Sequence, residues 1–315
     1  MRRMAFQERQ IVLANDCLKR GLNLSHFWRL ECLTFSQRLF ILLVLVVLSF
    51  GGTLTWAQEP SNSTEASCVN AAVVSVPSRP TATSSTDTTQ CGVVELEYGL
   101  QRQWPGGGAN RDDLTGGLRL GIKHNLDFHW SSSAFLHVMD GDGNRTGYGD
   151  NWLGLRYRFL GQTKRRPSLG LAYQAKVPSA AVTKGLGSGR FDHAPSFLVS
   201  KDIHPVHLDF NLMPFFAGRS PGSGFDHSVG FALSAAGPLT RRLGIVGEGY
   251  GYTTLNHNSP AFGSTMLAFT FQVQPRLILD GGLDVGITRG APRKRVFVGV
   301  TYAVANVYSW MQRQH

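Results

Sequence analysis

From Val93 to Val304 the chain alternates apolar residues with polar or small ones, in about twelve short blocks separated by turn residues. In Val206-His207-Leu208-Asp209-Phe210-Asn211-Leu212 every even-numbered position is apolar and every odd-numbered one polar. A period of two belongs to extended backbone, where successive side chains point to opposite faces. The pattern predicts strands with one apolar and one polar face.

The connections carry a second rhythm. Short turns are expected near His124-Asn125 and at 161–167, 201–205, 237–242 and 274–276. Between them lie longer stretches rich in Gly, Asn, Asp and Ser, at 101–112, 140–150, 178–190, 218–226, 255–263 and 288–294. Bacterial outer-membrane barrels alternate short periplasmic turns with longer external loops. A Greek-key sandwich has no reason to do so. Dividing residues 93–304 among about twelve strands leaves room for the ~9–11 residues of a tilted membrane strand.

The polar face carries Arg119, Lys123, Asp127, His129, Arg156, Arg158, Lys176, His207, Asp209, Asp280 and Asp284. Alternation alone would also fit a soluble barrel. Two arguments favour the inverted arrangement. Roughly eight strands already enclose as much space as side chains fill, and an Arg at the lipid midplane would cost ~2–4 kcal/mol. The charged face is therefore expected to line a lumen. In Leu243–Thr254, placing Glu248 in the lumen turns Gly247, Gly249 and Gly251 outward and Tyr250 and Tyr252 inward. A bulge could change the phase partway, so this strand stays open.

Ahead of the strands, Leu39 to Phe50 is an unbroken apolar run preceded by Arg38 and followed by Thr55-Trp56-Ala57. This is the order of a signal peptide, and the run is short for a spanning helix. Cleavage before Gln58 is expected; the alternative is that the segment remains as an uncleaved anchor. Gln58 to Gln90 is rich in Ser, Thr, Ala and Pro, a composition that buries too little surface to offset its ordering entropy. It reads as a flexible periplasmic leader. The expected organisation is an N-terminal extension and signal peptide (1–57), a low-complexity leader (58–92), an antiparallel transmembrane β-barrel of about twelve strands (93–304) and a tail (305–315).

Charge adds little to this. Removing residues 1–57 takes away seven basic and three acidic residues, leaving 24 and 18, a net +6. The basic residues are scattered, whereas nucleic-acid binders concentrate them in a patch, so no nucleic-acid partner is expected. Cys68 and Cys91 remain after cleavage, and two cysteines in an oxidising compartment can pair. Asp140-Gly141-Asp142-Gly143-Asn144 imitates the start of a calcium loop, but Arg145 stands where Gly is needed and Asn151 where a bidentate Glu is needed. His124, His129, His137, His193, His204, His207 and His227 lack the tight spacing of a metal or catalytic set. Neither metal nor cofactor is expected.

Several segments together resemble the bacterial outer-membrane family named for a MetA-pathway of phenol degradation. They are Gly147-Tyr148-Gly149-Asp150 followed by Leu153-Gly154-Leu155-Arg156-Tyr157-Arg158-Phe159, the Ser200-Lys201-Asp202 turn, Glu248-Gly249-Tyr250, and Leu279-Asp280-Gly281-Gly282-Leu283 through Gly286-Ile287-Thr288-Arg289-Gly290-Ala291-Pro292. The resemblance implies a barrel that moves hydrophobic or aromatic compounds across the outer membrane, and no catalytic residues. The chain departs from such barrels after Ala303, where Met311–His315 replaces the usual terminal aromatic residue.

The expectation is a channel or transporter for small hydrophobic or aromatic solutes, passing by passive diffusion through the charged lumen. Its partners are membrane lipid and a small-molecule solute. The charges either set a field across an open lumen or pair to keep it closed. The alternatives are an outer-membrane enzyme acting on lipid and a secreted soluble barrel that binds a ligand.

Overall fold

Extended backbone points its N–H and C=O groups sideways, and in hydrocarbon each must find a partner within the protein. The computed structural model, which describes residues 68–105, 109–256 and 259–314, meets this by closing one antiparallel sheet on itself. The expected signal peptide (1–57) lies outside the described residues. The strands are β1 (Val93–Pro105), β2 (Asn110–Lys123), β3 (Leu126–Asp140), β4 (Gly143–Gly147), β5 (Asn151–Leu160), β6 (Ser168–Val177) and β7 (Asp192–Ile203). They continue with β8 (Val206–Gly218), β9 (Phe225–Pro238), β10 (Leu243–Tyr252), β11 (Phe262–Gln274), β12 (Leu277–Gly286) and β13 (Pro292–Asn306), before a short helix α1 (Val307–Gln312).

Each strand pairs with its neighbour in sequence, β13 pairs with β1, and the ring is complete. One stave is broken. β5 pairs with the first part of β3, from Leu126↔Tyr157 to Ser132↔Asn151, and β4 with its far end, from Leu136↔Gly147 to Asp140↔Gly143. The two short strands thus form one stave interrupted at Tyr148-Gly149-Asp150, where Gly149 N–H still donates to Ser133 O at 2.9 Å. The wall has twelve staves.

The rhythm of the connections holds. The turns at 124–125, 161–167, 204–205, 239–242 and 275–276 gather at one end, and the longer connections at the other. The stretch 140–150 is not all loop, because it contains β4. There Arg145 pairs with Asp140, so the calcium-like segment is a hairpin whose carboxylate already has a cation.

The faces divide as the alternation predicts. In β9 the outward Val229, Phe231 and Leu233 are exposed, while Ser228, Gly230, Ala232 and Ser234 are buried within. Leu155, Tyr157, Leu171, Leu267, Phe269, Leu279, Leu283 and Val298 continue the exposed apolar band. β10 needs no bulge, since its register runs unbroken against both neighbours. Glu248 is buried inside, and a Cβ at Gly247 or Gly249 would meet nothing within 4 Å on the outer face. The tail is structured too. The Asn306 side chain caps α1 by accepting from Tyr308 and Ser309 N–H, and Tyr308 OH donates to Ile122 O at 3.1 Å.

Val298 lies near the middle of β13 and is 61% exposed. Val298→Arg should lower barrel stability by ~2–4 kcal/mol, the cost of a cation on the lipid face near the midplane. Equilibrium unfolding from lipid bilayers measures this.

Candidate functional site

A ring of inward-facing polar side chains would be costly to bury without partners. Here a segment of the chain's own backbone supplies them. Residues 75–89 follow the inner wall from one staff to the next. Ser75 Oγ and Val76 N–H donate to Glu95 of β1 at 2.8 and 2.7 Å, and Ser78 N–H donates to Glu97 at 2.6 Å. Arg79 makes a two-pronged contact to Asp280 of β12, each bond 3.1 Å. Ala82 and Thr83 N–H donate to Glu248 of β10 at 2.9 and 2.6 Å, joined by the Thr83 hydroxyl. Ser84 exchanges two bonds with the Asn211 amide of β8. Thr86 N–H donates to Ser200 of β7, and Thr89 N–H to Asp127 of β3.

The flexible leader expected from composition is therefore corrected for residues 68–92. Its Thr and Ser residues cannot build a core of their own, but they offer backbone donors to a lumen lined with acceptors. Thr83, Thr86 and Thr89 are buried. Both ends of the segment sit at the short-turn end of the barrel, where Cys68 and Cys91 are joined by a disulfide. Asn306 Nδ2 donates to Cys68 O at 2.7 Å, and Gly92 N–H to Gly121 O at 2.7 Å. Two glycines make room for the plug's arginine. Gly99 and Gly299 face each other across β1 and β13, and a Cβ on either would collide with the Arg79 guanidinium.

Below the plug lies a buried ion network. Arg119 spans Glu95, Glu97 and Asp127 at 3.1, 3.3 and 3.1 Å, and Arg156 meets Asp127 at 2.5 Å. The same arginines also donate to plug carbonyls, Arg119 to Val76 O at 2.6 Å and Arg156 to Ser85 O at 3.0 Å. Asp284 pairs with Arg295 at 2.9 Å and accepts from Tyr250 OH. His129 lies against Gly154, its Nε2 buried without a partner among the described residues.

Other residues predicted for the lumen stand at its ends. Lys176 pairs with Asp192 at 2.6 Å and lies 3.5 Å from Asp150, near the loop end. Arg158 reaches the half-exposed Asp87 at 3.0 Å, and Lys123 is exposed at the end of β2. His207 lies between Asp202 at 2.6 Å and Asp209 at 3.1 Å, with Ser85 Oγ 3.4 Å away. Sequence reading missed Arg79, Glu95, Glu97, Ser200 and Asn211. One signal was available, since Arg79 and Asp87 are the only charged residues between Cys68 and Gln90.

The plug divides the lumen. A cavity of about 530 Å³ lies between it and the short turns, and one of about 260 Å³ lies on its other side, beside Arg119, His129 and Gln174. The wall itself is interrupted beside the smaller cavity. β7 pairs with β8 at Asp192↔Ala217 and His193↔Phe216, then not again until Phe197↔Leu212. Counting from either side sets Pro195 opposite Pro214. Proline has no N–H, so this pair cannot make its ladder bonds. Outside the gap is an apolar groove of about 480 Å³, bounded by Leu155, Tyr157, Leu171 and Leu212. The groove reaches Ala172 and Ser196, whose side chains belong to the inner face, and Ala172 also lines the 260 Å³ cavity.

Comparison with known proteins adds a family and a fold. The family described as "Putative MetA-pathway of phenol degradation" matches residues 78–304. Among solved structures, the barrel resembles an outer membrane channel from Pseudomonas putida F1, with a TM-score of 0.57 and 13% identity over 70% of this chain and 98% of the other. It also aligns with the NanC porin (TM-score 0.47, 10% identity, 67% and 100% covered) and with the CymD monoaromatic hydrocarbon channel (0.38, 10%, 67% and 88%). At such identities the likeness is one of fold. No curated protein sequence matches the chain.

Two substitutions should separate the plug from the wall. Glu248→Gln leaves the Ala82 and Thr83 donors facing an amide and should loosen the plug locally by about 1–3 kcal/mol. Faster proteolysis confined to residues 75–89 would report it. Asp127→Asn leaves Arg119 and Arg156 without their shared anion and should destabilise the whole barrel by about 3–5 kcal/mol, measured by unfolding in urea.

Proposed function

The chain belongs to the MetA-pathway family of phenol degradation, and from that premise we propose that it is an outer-membrane channel admitting small hydrophobic or aromatic compounds through the side of its wall. The observation that carries this reading is the opposed proline pair in β7 and β8. It removes hydrogen bonds from a wall that otherwise needs them, at a point where an apolar groove on the lipid face meets small inward side chains. An apolar solute dissolved in the outer leaflet would reach the lumen there without crossing water. The charged lumen no longer supports free axial diffusion, because its carboxylates and arginines hold the plug and each other.

The geometry of His207 favours a channel over a lipid-acting enzyme. A general base must accept a proton from its nucleophile. His207 has carboxylates at both ring nitrogens, closer than the Ser85 hydroxyl, and both nitrogens serve as donors in that arrangement.

Replacing both prolines tests the route. Pro195→Val with Pro214→Val restores two N–H groups to the ladder and should stabilise the barrel by about 0.5–1.5 kcal/mol per bond. Naphthalene uptake by cells bearing this variant should fall to that of cells lacking the protein. Undiminished uptake with a correctly folded variant would sink the lateral route.

A further inference from the structure

Directly inside the wall gap, the lumen changes character. The inner face near the plug is crowded with charge, but beyond it a cavity of about 360 Å³ is walled by Trp152, Phe215, Tyr252 and Phe262, and no charged residue among the described ones lines it. The rings come from β5, β8, β10 and β11, so four separate strands converge on one space. Their centroids form a chain of contacts. Trp152 to Phe215 is 6.5 Å, Phe215 to Tyr252 6.2 Å with the planes at 69°, and Tyr252 to Phe262 5.5 Å. These spacings lie within the range of aromatic pairs, and the Phe215–Tyr252 pair is edge-to-face. Phe215 and Ala194 lie opposite each other on either side of the unpaired stretch, so the cavity opens onto the gap.

Among the polar side chains that line this cavity, the Gln174 amide and the Ser228 and Ser259 hydroxyls make no side-chain hydrogen bond within the described residues; Ser259 is exposed, Gln174 is half-buried and Ser228 is only 6% exposed. The neighbouring Thr253 hydroxyl is already used, accepting from Val229 N–H at 2.9 Å. A few polar groups in a mostly apolar pocket fix the orientation of a ligand, and Gln174 and Ser228 are free to do so.

We propose that this cavity is a binding site for a neutral, one- or two-ring aromatic molecule carrying one hydroxyl or carbonyl group. The rings of Trp152, Phe215, Tyr252 and Phe262 take the flat body of the ligand, and Gln174 and Ser228 take its single polar substituent. The size fits, since an apolar cavity of roughly 150 Å³ already holds benzene. The described lining carries no charge to offset the desolvation of a carboxylate or ammonium group, which selects against both. The proposal rests on the channel reading for its means of filling, through the β7–β8 gap, but the site itself is a matter of equilibrium binding.

The test uses the whole protein in lipid nanodiscs, with equilibrium dialysis of three probes and empty nanodiscs subtracting partition into lipid. The probes are 1-naphthol, naphthalene, which lacks the hydroxyl, and decahydro-2-naphthol, which lacks the aromatic faces. We expect 1-naphthol to bind about tenfold more tightly than either, one site per barrel, as one lost interaction of ~1.4 kcal/mol would give. Phe215→Ala should bring 1-naphthol down to the level of the saturated alcohol. Ser228→Ala with Gln174→Leu, which keeps the packing, should bring it down to the level of naphthalene. Equal binding of the three probes overturns the proposal, as does 1-naphthol binding that neither variant changes. Naphthalene uptake by cells separates this from the channel reading. Loss of binding with uptake intact removes the site alone, whereas specific binding with no uptake upholds the site and removes the channel.

Discussion

A polar group taken out of water must find a partner, and nearly every feature of this barrel answers that demand. The backbone answers it by closing the sheet, so that no strand edge faces lipid. The inner face answers it with ion pairs such as Asp127 between Arg119 and Arg156. Acceptors remain on Glu95, Glu248 and Asn211 among others, and residues 75–89 bring the missing donors. Plug and wall are one hydrogen-bonded system. Neither the charged lumen nor the low-complexity segment would be well satisfied alone.

The opposed prolines are the exception to this rule, and their place gives the exception meaning. A lost ladder bond at a strand end would matter little. Here it falls within the wall, at a height where the outer groove meets alanine and serine of the inner face, and where the charges of the lumen give way to aromatic rings. The plug lies to one side of this point and divides the lumen along its axis. A solute entering through this gap, as proposed, would meet the aromatic chamber there. Passage onward to the short-turn end requires the plug to shift, and the disulfide between Cys68 and Cys91 keeps both of its ends at that rim.

Much of the architecture was legible because period-two patterning reports directly on which side of a strand meets which medium. The faces of β5, β8 and β9, the alternation of short and long connections, and the inward direction of Arg119, Asp127 and Arg156 all follow from local spacing. The phase of β10 stayed open because three glycines on one face and two tyrosines on the other invert the usual contrast. Only its unbroken register between β9 and β11 decides the matter. Lys123 and Arg158 share the phase of the lumen residues but stand at strand ends, a distinction of height that alternation does not record.

By itself the sequence determined about twelve strands with one apolar and one charged face, since alternation depends on neighbours one or two residues apart, whereas closure of the ring rests on the pairing of β1 with β13. Tertiary structure alone decided that the Ser- and Thr-rich segment lies within the lumen, because its partners on β1, β3, β7, β8, β10 and β12 are distant in the chain. The same holds for the wall gap and the aromatic chamber. Pro195 and Pro214 are unremarkable singly, and Trp152, Phe215, Tyr252 and Phe262 are scattered over more than a hundred residues. Register and curvature bring the two prolines opposite each other and the four rings around one cavity.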